Sequence, residues 1–221
     1  MSDLDFTNID IWIFDLDNTL YPAENQFMGQ IEVRMTDFVE TLTGLPREEA
    51  RALQKKYLVE QGTTLAGLMA NHGVSPHDFM DFVHDVPLNA LIPDPALHDG
   101  IARLPGRKLV FTNGSAKHAK RVLAHLELAP LFEDIFHLES AGFVPKPNRV
   151  TYDAMLKAHA VDPRRAAFFE DSERNLKPAA ELGMTTVLVG PKALANEADF
   201  IQHRAAALAP FLNSIRVRKA A

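Results

Sequence analysis

Residues 9–15 read IDIWIFD, and the stretch Ile11–Phe14 is apolar without a break. A continuous apolar run this short suits a parallel strand buried on both faces. It closes on two acids, Asp15 and Asp17. The same pattern returns late in the chain, where an apolar stretch at 166–169 closes on Glu170 and Asp171. Between and beyond these two runs, strands alternate with helices from residue 96 onward. Helices are predicted over 96–104, from Ser115 to about 126, over 149–159 and over 172–182. Strands are predicted over 108–111, 135–138, 166–169 and 185–189. Ser115 is placed to cap its helix, and Gly183 follows the helix before it at the position that favours glycine. Such alternation is the signature of an α/β fold with a parallel sheet.

The first strand stands apart from the others by about 70 residues that read as helix. Phe27, Ile31, Met35, Phe38, Val39 and Leu42 recur at helical spacing and form one apolar stripe, stopped by Gly44 and Pro46. Residues 47–85 continue as helix, broken near Gly62 and near the Gly73, Ser75, Pro76 cluster. Residues 86–95 hold three prolines and read as a connection. The expected organisation is an α/β core of residues 1–20 and 93–221 with a helical insert over 21–92.

Composition removes several classes. With no cysteine, disulfides, Cys-ligated zinc and iron–sulfur clusters are excluded. A net charge of −6 argues against a general nucleic-acid binder. No apolar run approaches the roughly 20 residues of a membrane span. The start, MSDLDFTNID, lacks the basic and apolar stretches of a signal peptide. A cytoplasmic protein is expected.

In open α/β sheets, ligands bind beyond the carboxyl ends of the strands. Those ends offer Asp15 and Asp17, then Thr112 and Asn113, then Glu170 and Asp171, with Lys146 in the loop VPKPN upstream. Acids after a strand also form turns and caps. It is their joint occurrence at successive strand ends that points to a site. Several carboxylates cannot share a small site without a cation. All are hard oxygen ligands with no histidine pair or thiolate beside them, which points to Mg²⁺. Thr112, Asn113 and Lys146 are donors suited to phosphate oxygens. An acid side and a donor side together describe a phosphoryl-transfer site.

Four stretches resemble the haloacid dehalogenase superfamily, in order. DLDNTLYP at 15–22 is similar to its first motif, DxDxT/V. LVFTNG resembles the second, Lys146 in VPKP the third, and FFEDSERN the fourth. DNTLYP, RMTDFV, GTTLAGLMANHG, FVHDVPL, LPGRKLVFTNG and KPN are similar to its pyrimidine 5′-nucleotidase branch. The resemblance implies a Rossmann-like core with a helical cap inserted after the first strand. It also implies a Mg²⁺-dependent phosphatase for nucleoside 5′-monophosphates such as UMP and CMP, working through an aspartyl phosphate.

Residue by residue, the resemblance makes Asp15 the nucleophile and Asp17 the general acid and then base. The Asp17 backbone carbonyl would also ligate Mg²⁺. The superfamily's true dehalogenases lack this second Asp, which argues against carbon–halogen chemistry. Thr112 and the Asn113 N–H would hold phosphate oxygens, and Lys146 would neutralise charge between Asp15 and the phosphoryl group. Asp171 would bind the metal beside Asp15, and Glu170 directly or through a water. Asn175 would fix the loop or helix start. In the cap, Phe27, Tyr57, Thr64 and His84 are the leading candidates to face the substrate, followed by Met28, Thr63 and His72. His118 and His125, seven apart on one helix, have no visible ligand partner and read as ordinary helix residues. Arg216, Arg218 and Lys219 read as a solvated basic tail.

Rival readings are a sugar-phosphate or phosphoglycolate phosphatase or a phosphomutase of the same superfamily. A phospho-accepting signalling module also combines acids, a Thr and a Lys, but has no long insert after its first strand. An interaction protein on an inactive hydrolase fold fits poorly with intact acids and lysine.

Overall fold

The computed structural model describes residues 4–218. Among the described residues six parallel strands form one sheet: β1 (Ile11–Phe14), β2 (Arg107–Phe111), β3 (Asp134–Phe136), β4 (Ala166–Glu170), β5 (Thr185–Val189) and β6 (His203–Ala205). Their spatial order is β3-β2-β1-β4-β5-β6, a doubly wound Rossmann-like sheet. The helices are α1 (Phe27–Thr43), α2 (Arg47–Gln61), α3 (Thr64–His72), α4 (Pro76–Val83), α5 (Pro95–Ala102), α6 (Ala116–His125), α7 (Arg149–Ala158), α8 (Glu173–Leu182) and α9 (Leu208–Ser214). Among the described residues no helix is long and apolar enough to cross a membrane.

Strand alternation sends the side chains of β1 to two cores. Trp12 and Phe14 face one, with Leu97 and Ile101 of α5, Val122 of α6 and Phe211 of α9. Ile11 and Ile13 face the other, with Tyr152 and Met155 of α7 and Leu176 and Ala179 of α8. Both faces are covered, so β1 and β4 are buried throughout, which explains their unbroken apolar sequence.

The register positions the site. Phe14 pairs with Val110 on one side and with Phe169 on the other. The next step along each strand therefore brings Asp15 level with Phe111 and Glu170, on one rim. The chain order reverses between β1 and β4, where the crossovers diverge and leave a crevice above that rim.

Helices α1 to α4 lie between β1 and α5 in sequence. They bury Ile31, Val39, Leu68, Phe79 and Val83 among themselves. Thr63 caps α3 by accepting from the Ala66 N–H, and Ser75 caps α4 by accepting from the Asp78 N–H. Two expectations change. Strand β6 escaped sequence reading, because three residues reading HRA have no apolar run to mark an edge strand. The basic end is not a free tail. The Arg216 backbone carbonyl accepts from the Phe6 N–H at 2.8 Å, and its guanidinium bonds Asp5. Arg218 is exposed, and Lys219 lies outside the described residues.

Candidate active site

Three strand ends and one loop converge on a buried ammonium. Lys146 Nζ donates to Asp15 Oδ1, to Glu170 Oε2 and to the Phe111 carbonyl, each at 2.7 Å. Lys146 and Glu170 are each 1% exposed and Asp15 6%. The lysine loop is held by Asn113, whose amide accepts from the Lys146 N–H at 2.8 Å and donates to the Lys146 carbonyl at 3.2 Å. The Asp15 N–H donates to the Phe169 carbonyl, extending the β1–β4 ladder by one residue. The Thr19 hydroxyl lies 3.3 Å from Asp15 Oδ2. Asp171, at the open side, accepts from Asn18 Nδ2 at 3.3 Å.

Carboxylate oxygens of Asp15, Glu170 and Asp171 lie within 4.8 Å of one another. One ammonium among three carboxylates leaves excess negative charge in a poorly solvated place. Burial and the charge of Glu170 push the Asp15 carboxyl up to about 7, against the pull of Lys146. Burial pushes Glu170 up to about 7, with Lys146 opposing and Asp171 adding. Burial and Asp15 also raise Asp171. Burial alone would lower Lys146, but Asp15 and Glu170 outweigh it and raise its pKa. Hard oxygen donors with unrelieved charge fit a divalent cation such as Mg²⁺. These three residues could hold one.

Asp17 behaves differently. Its Oδ1 accepts from the Tyr21 hydroxyl at 2.6 Å and from His118 Nε2 at 2.8 Å. Burial would raise its pKa, yet His118, by charge and hydrogen bond, and Tyr21 hold it at about 2. The two acids of DxD thus sit in opposite electrostatic surroundings. Across from them, Thr112 Oγ1 accepts from the Gly114 N–H at 2.9 Å. A Cβ on Gly114 would lie 3.1 Å from His118 Cδ2, 3.2 Å from Thr112 Oγ1 and 3.6 Å from Asp17 Oδ2. Glycine keeps that corner open.

Above the rim lies a cavity of about 340 Å³ that Asp15, Asp17, Thr112, Asn113, Lys146, Glu170 and Asp171 line from below. Its upper wall comes from α1–α4 and the residue after α4: Met28, Ile31, Met35, Gln54, Thr64, Met80, Val83 and His84 among them. The core residues named from sequence are therefore brought together. Two of the four leading upper-wall residues are not. Phe27 is fully buried against Tyr21 and the His118 ring. Tyr57 is buried with its hydroxyl 2.9 Å from His72 Nε2. Neither lines the cavity, because a residue on a helix's apolar stripe packs inward, and periodicity does not say against what. Thr64 reaches the cavity, although its hydroxyl donates to the Gln54 carbonyl at 3.2 Å.

Several residues escaped the sequence reading. His118 is no ordinary helix residue; it is buried against Asp17. The available signal was its place in the first turn of a helix that starts at a strand's carboxyl end. Tyr21, four residues after Asp17, had no such signal. Gln54 is a buried polar residue on α2, set between the buried Ala50 and Tyr57 on a helix rich in charged residues. Arg174 donates to the Leu58 and Gly62 carbonyls, tying α8 to the end of α2. Asn175, expected from the resemblance to fix the loop or helix start, is buried, its N–H donating to the Ser172 carbonyl in the first turn of α8 and its Oδ1 without a partner among the described residues.

A profile described as haloacid dehalogenase-like hydrolase matches residues 9–183. The chain belongs to that family of hydrolases. It is 28% identical over 194 residues to Phosphate metabolism protein 8 of Saccharomyces cerevisiae, covering 80% of this chain and 60% of that one. It is 25% identical over 197 residues to Glyceraldehyde 3-phosphate phosphatase of Methanocaldococcus jannaschii, covering 80% and 83%. The chain thus spans less than two thirds of the yeast relative's length. A HAD phosphatase structure from Thermococcus onnurineus superposes with a TM-score of 0.62 at 15% identity, over 90% of this chain and 94% of that one, a likeness of fold.

Proposed function

We propose that the protein is a Mg²⁺-dependent phosphomonoester phosphatase that passes through an aspartyl phosphate on Asp15 and prefers pyrimidine nucleoside 5′-monophosphates. In this reading residues 1–20 and 93–221 are the catalytic core and 21–92 a cap over it. One observation carries the chemistry: Asp15, Lys146 and Glu170 form a buried cluster that faces Thr112 and the Asn113–Gly114 backbone across the crevice.

Asp15 attacks phosphorus, forming the carboxylate–phosphorus bond as the bond to the ester oxygen breaks. Lys146 draws charge from Asp15 and the incoming phosphoryl group. Thr112 and the Asn113 N–H receive the phosphoryl oxygens. Asp17 gives a proton to the leaving alkoxide, then takes one from the water that cleaves the acyl phosphate. Asp15, Asp171, Glu170 and the Asp17 carbonyl would hold Mg²⁺, which when bound supplies charge neutralisation for the carboxylates and phosphoryl oxygens.

The upper wall supports the choice of leaving group. It is mostly apolar, with one buried amide, Gln54. Gln54 Oε1 accepts from the Thr36 hydroxyl at 2.6 Å, while Nε2 meets Met35 Sδ at 3.6 Å. A thioether is a weak acceptor, so this N–H is available to a better one. A pyrimidine base offers a flat apolar body and a carbonyl beside its glycosidic bond. A polyhydroxylated sugar would meet Glu32, Thr63, Thr64 and His84 but would set its remaining hydroxyls against Met28, Ile31, Met35, Met80 and Val83. Phosphoglycolate needs a cation for its carboxylate, and Arg174, which lines this cavity, is already tied to Leu58 and Gly62.

The test is phosphate release with Mg²⁺ across UMP, CMP, dUMP, dTMP, AMP, GMP, phosphoglycolate and sugar phosphates, with EDTA and Asp15→Asn as controls. Pyrimidine monophosphates should lead, and both controls should abolish release. Sugar phosphates or phosphoglycolate leading would retain the chemistry and discard the nucleotide preference. A stable phosphoprotein without turnover would favour a signalling role.

A further inference from the structure

We propose that His118 is a positioning residue for Asp17, and that Phe27 and His84 make its placement depend on how the helical segment is seated. This rests on the reading of Asp17 as the proton donor and acceptor.

The geometry begins at the start of α6. Ser115 Oγ accepts from the His118 N–H at 3.1 Å and so fixes the backbone of the first turn. The His118 side chain is 0% exposed. A carboxylate only accepts, so His118 Nε2 carries the proton in its 2.8 Å bond to Asp17 Oδ1. The Tyr21 hydroxyl donates to the same oxygen. Two donors on one oxygen fix the carboxylate's plane and leave Oδ2 on the side of Gly114 and Thr112, where a leaving oxygen would stand. His118 Nδ1 is buried with no partner among the described residues. Burying an unpaired ring nitrogen is costly. Among the described residues the ring's one polar partner is Asp17.

The rings that stack on His118 come from the start of α1 and from the residue just after α4. His84, the residue after α4, stacks on it at 4.1 Å with planes 15° apart. Phe27, the first residue of α1, lies 6.0 Å away and nearly parallel at 5°. His84 Nδ1 is also 3.2 Å from Ser115 Oγ, the cap of the same helix. Both ends of the segment therefore meet at the one ring that orients Asp17. Lifting the segment would remove both flanking rings and free His118 to turn, loosening Asp17. Proton transfer would then be set up only when the segment is seated and water is excluded.

The experiment uses leaving-group dependence. An alkyl phosphate needs a proton on its departing oxygen, whereas p-nitrophenyl phosphate releases a stable phenolate without one. His118→Gln places an amide N–H where Nε2 stood, and His118→Asn is too short to do so. Values of kcat/KM are measured for a nucleoside monophosphate and for p-nitrophenyl phosphate, with wild type and Asp15→Asn alongside. His118→Asn should lose about 30- to 100-fold on the alkyl ester and under about 5-fold on the aryl ester, a partial loss of the roughly 100- to 10,000-fold that general acid catalysis contributes. His118→Gln should recover most of the loss. His84→Ala, removing one flanking ring, should show the same selective pattern at about 3- to 10-fold. Equal losses on both esters, or no advantage of Gln over Asn, would overturn the positioning role. A His84→Ala enzyme matching wild type on both esters would overturn the link to the helical segment. Activity surviving in Asp15→Asn would instead sink the underlying reading, and the proposal with it.

Discussion

Replacing Asp15 by Asn should remove activity and, in metal-free protein above neutrality, make the fold more stable. Its carboxyl is held up to about 7 against an ordinary 3.8, chiefly by burial and by Glu170. Between those values the unfolded chain has lost this proton while the native state keeps it. The native state binds more protons, so stability falls as pH rises through this window. Once both states are ionised the cost is about 4 kcal/mol. Asn removes that cost but gives Lys146 a neutral amide acceptor in place of a charged one, leaving a net gain of about 2–4 kcal/mol. For a chain of this length that is roughly 5–15 °C in melting temperature. The assay is thermal unfolding in EDTA at pH 4 and at pH 8. The two proteins should melt together at the lower pH and apart at the higher, with the variant above. Saturating Mg²⁺ should close or reverse the gap, because wild type has the fuller set of carboxylates. A variant less stable than wild type at pH 8 in EDTA, or a gain independent of pH, would refute the reasoning.

Three further outcomes follow from particular contacts. Gln54→Leu keeps the volume and should cost under about 1.5 kcal/mol of stability. It should raise KM for pyrimidine monophosphates about tenfold, the worth of one hydrogen bond, and leave phenyl phosphate unchanged in steady-state kinetics. Gly67→Ala would set a Cβ 2.2 Å from Tyr57 Cγ. Since Tyr57 is buried and bonded to His72, α2 and α3 must separate, at about 1–3 kcal/mol read from the urea midpoint. Arg174→Ala removes the bonds to the Leu58 and Gly62 carbonyls at the exposed end of α2. Stability should change by under about 1 kcal/mol, while limited proteolysis of the connection at 84–94 should become faster.

Much of the candidate site's placement was legible because its signals are local. An apolar run that stops at an acid marks both the strand and the residue just past its end, as at Asp15 and Glu170. Parallel pairing then makes strand ends converge, so one-dimensional positions become a rim. The helix cap at Ser115 was legible for the same reason, since a cap is written within four residues. Phe27 and Tyr57 were misplaced because helical periodicity identifies an apolar face without naming its neighbour. The edge strand β6 was missed because an exposed edge has no two-sided burial to impose an apolar run.

What the sequence determined by itself is the alternation of elements, the family and the set of acids, donor and lysine at the strand ends. Those follow from short-range rules of burial and backbone geometry. What only the tertiary structure decided is how charge and rings are shared across the chain. Lys146 bonds Asp15 from 131 positions away, and His118 bonds Asp17 from 101. The pKa of Asp15 rises and that of Asp17 falls though they are two residues apart, because each meets a different set of distant neighbours in a low-dielectric place. Electrostatic energy depends on distance through space and on exclusion of water, and neither is written along the chain.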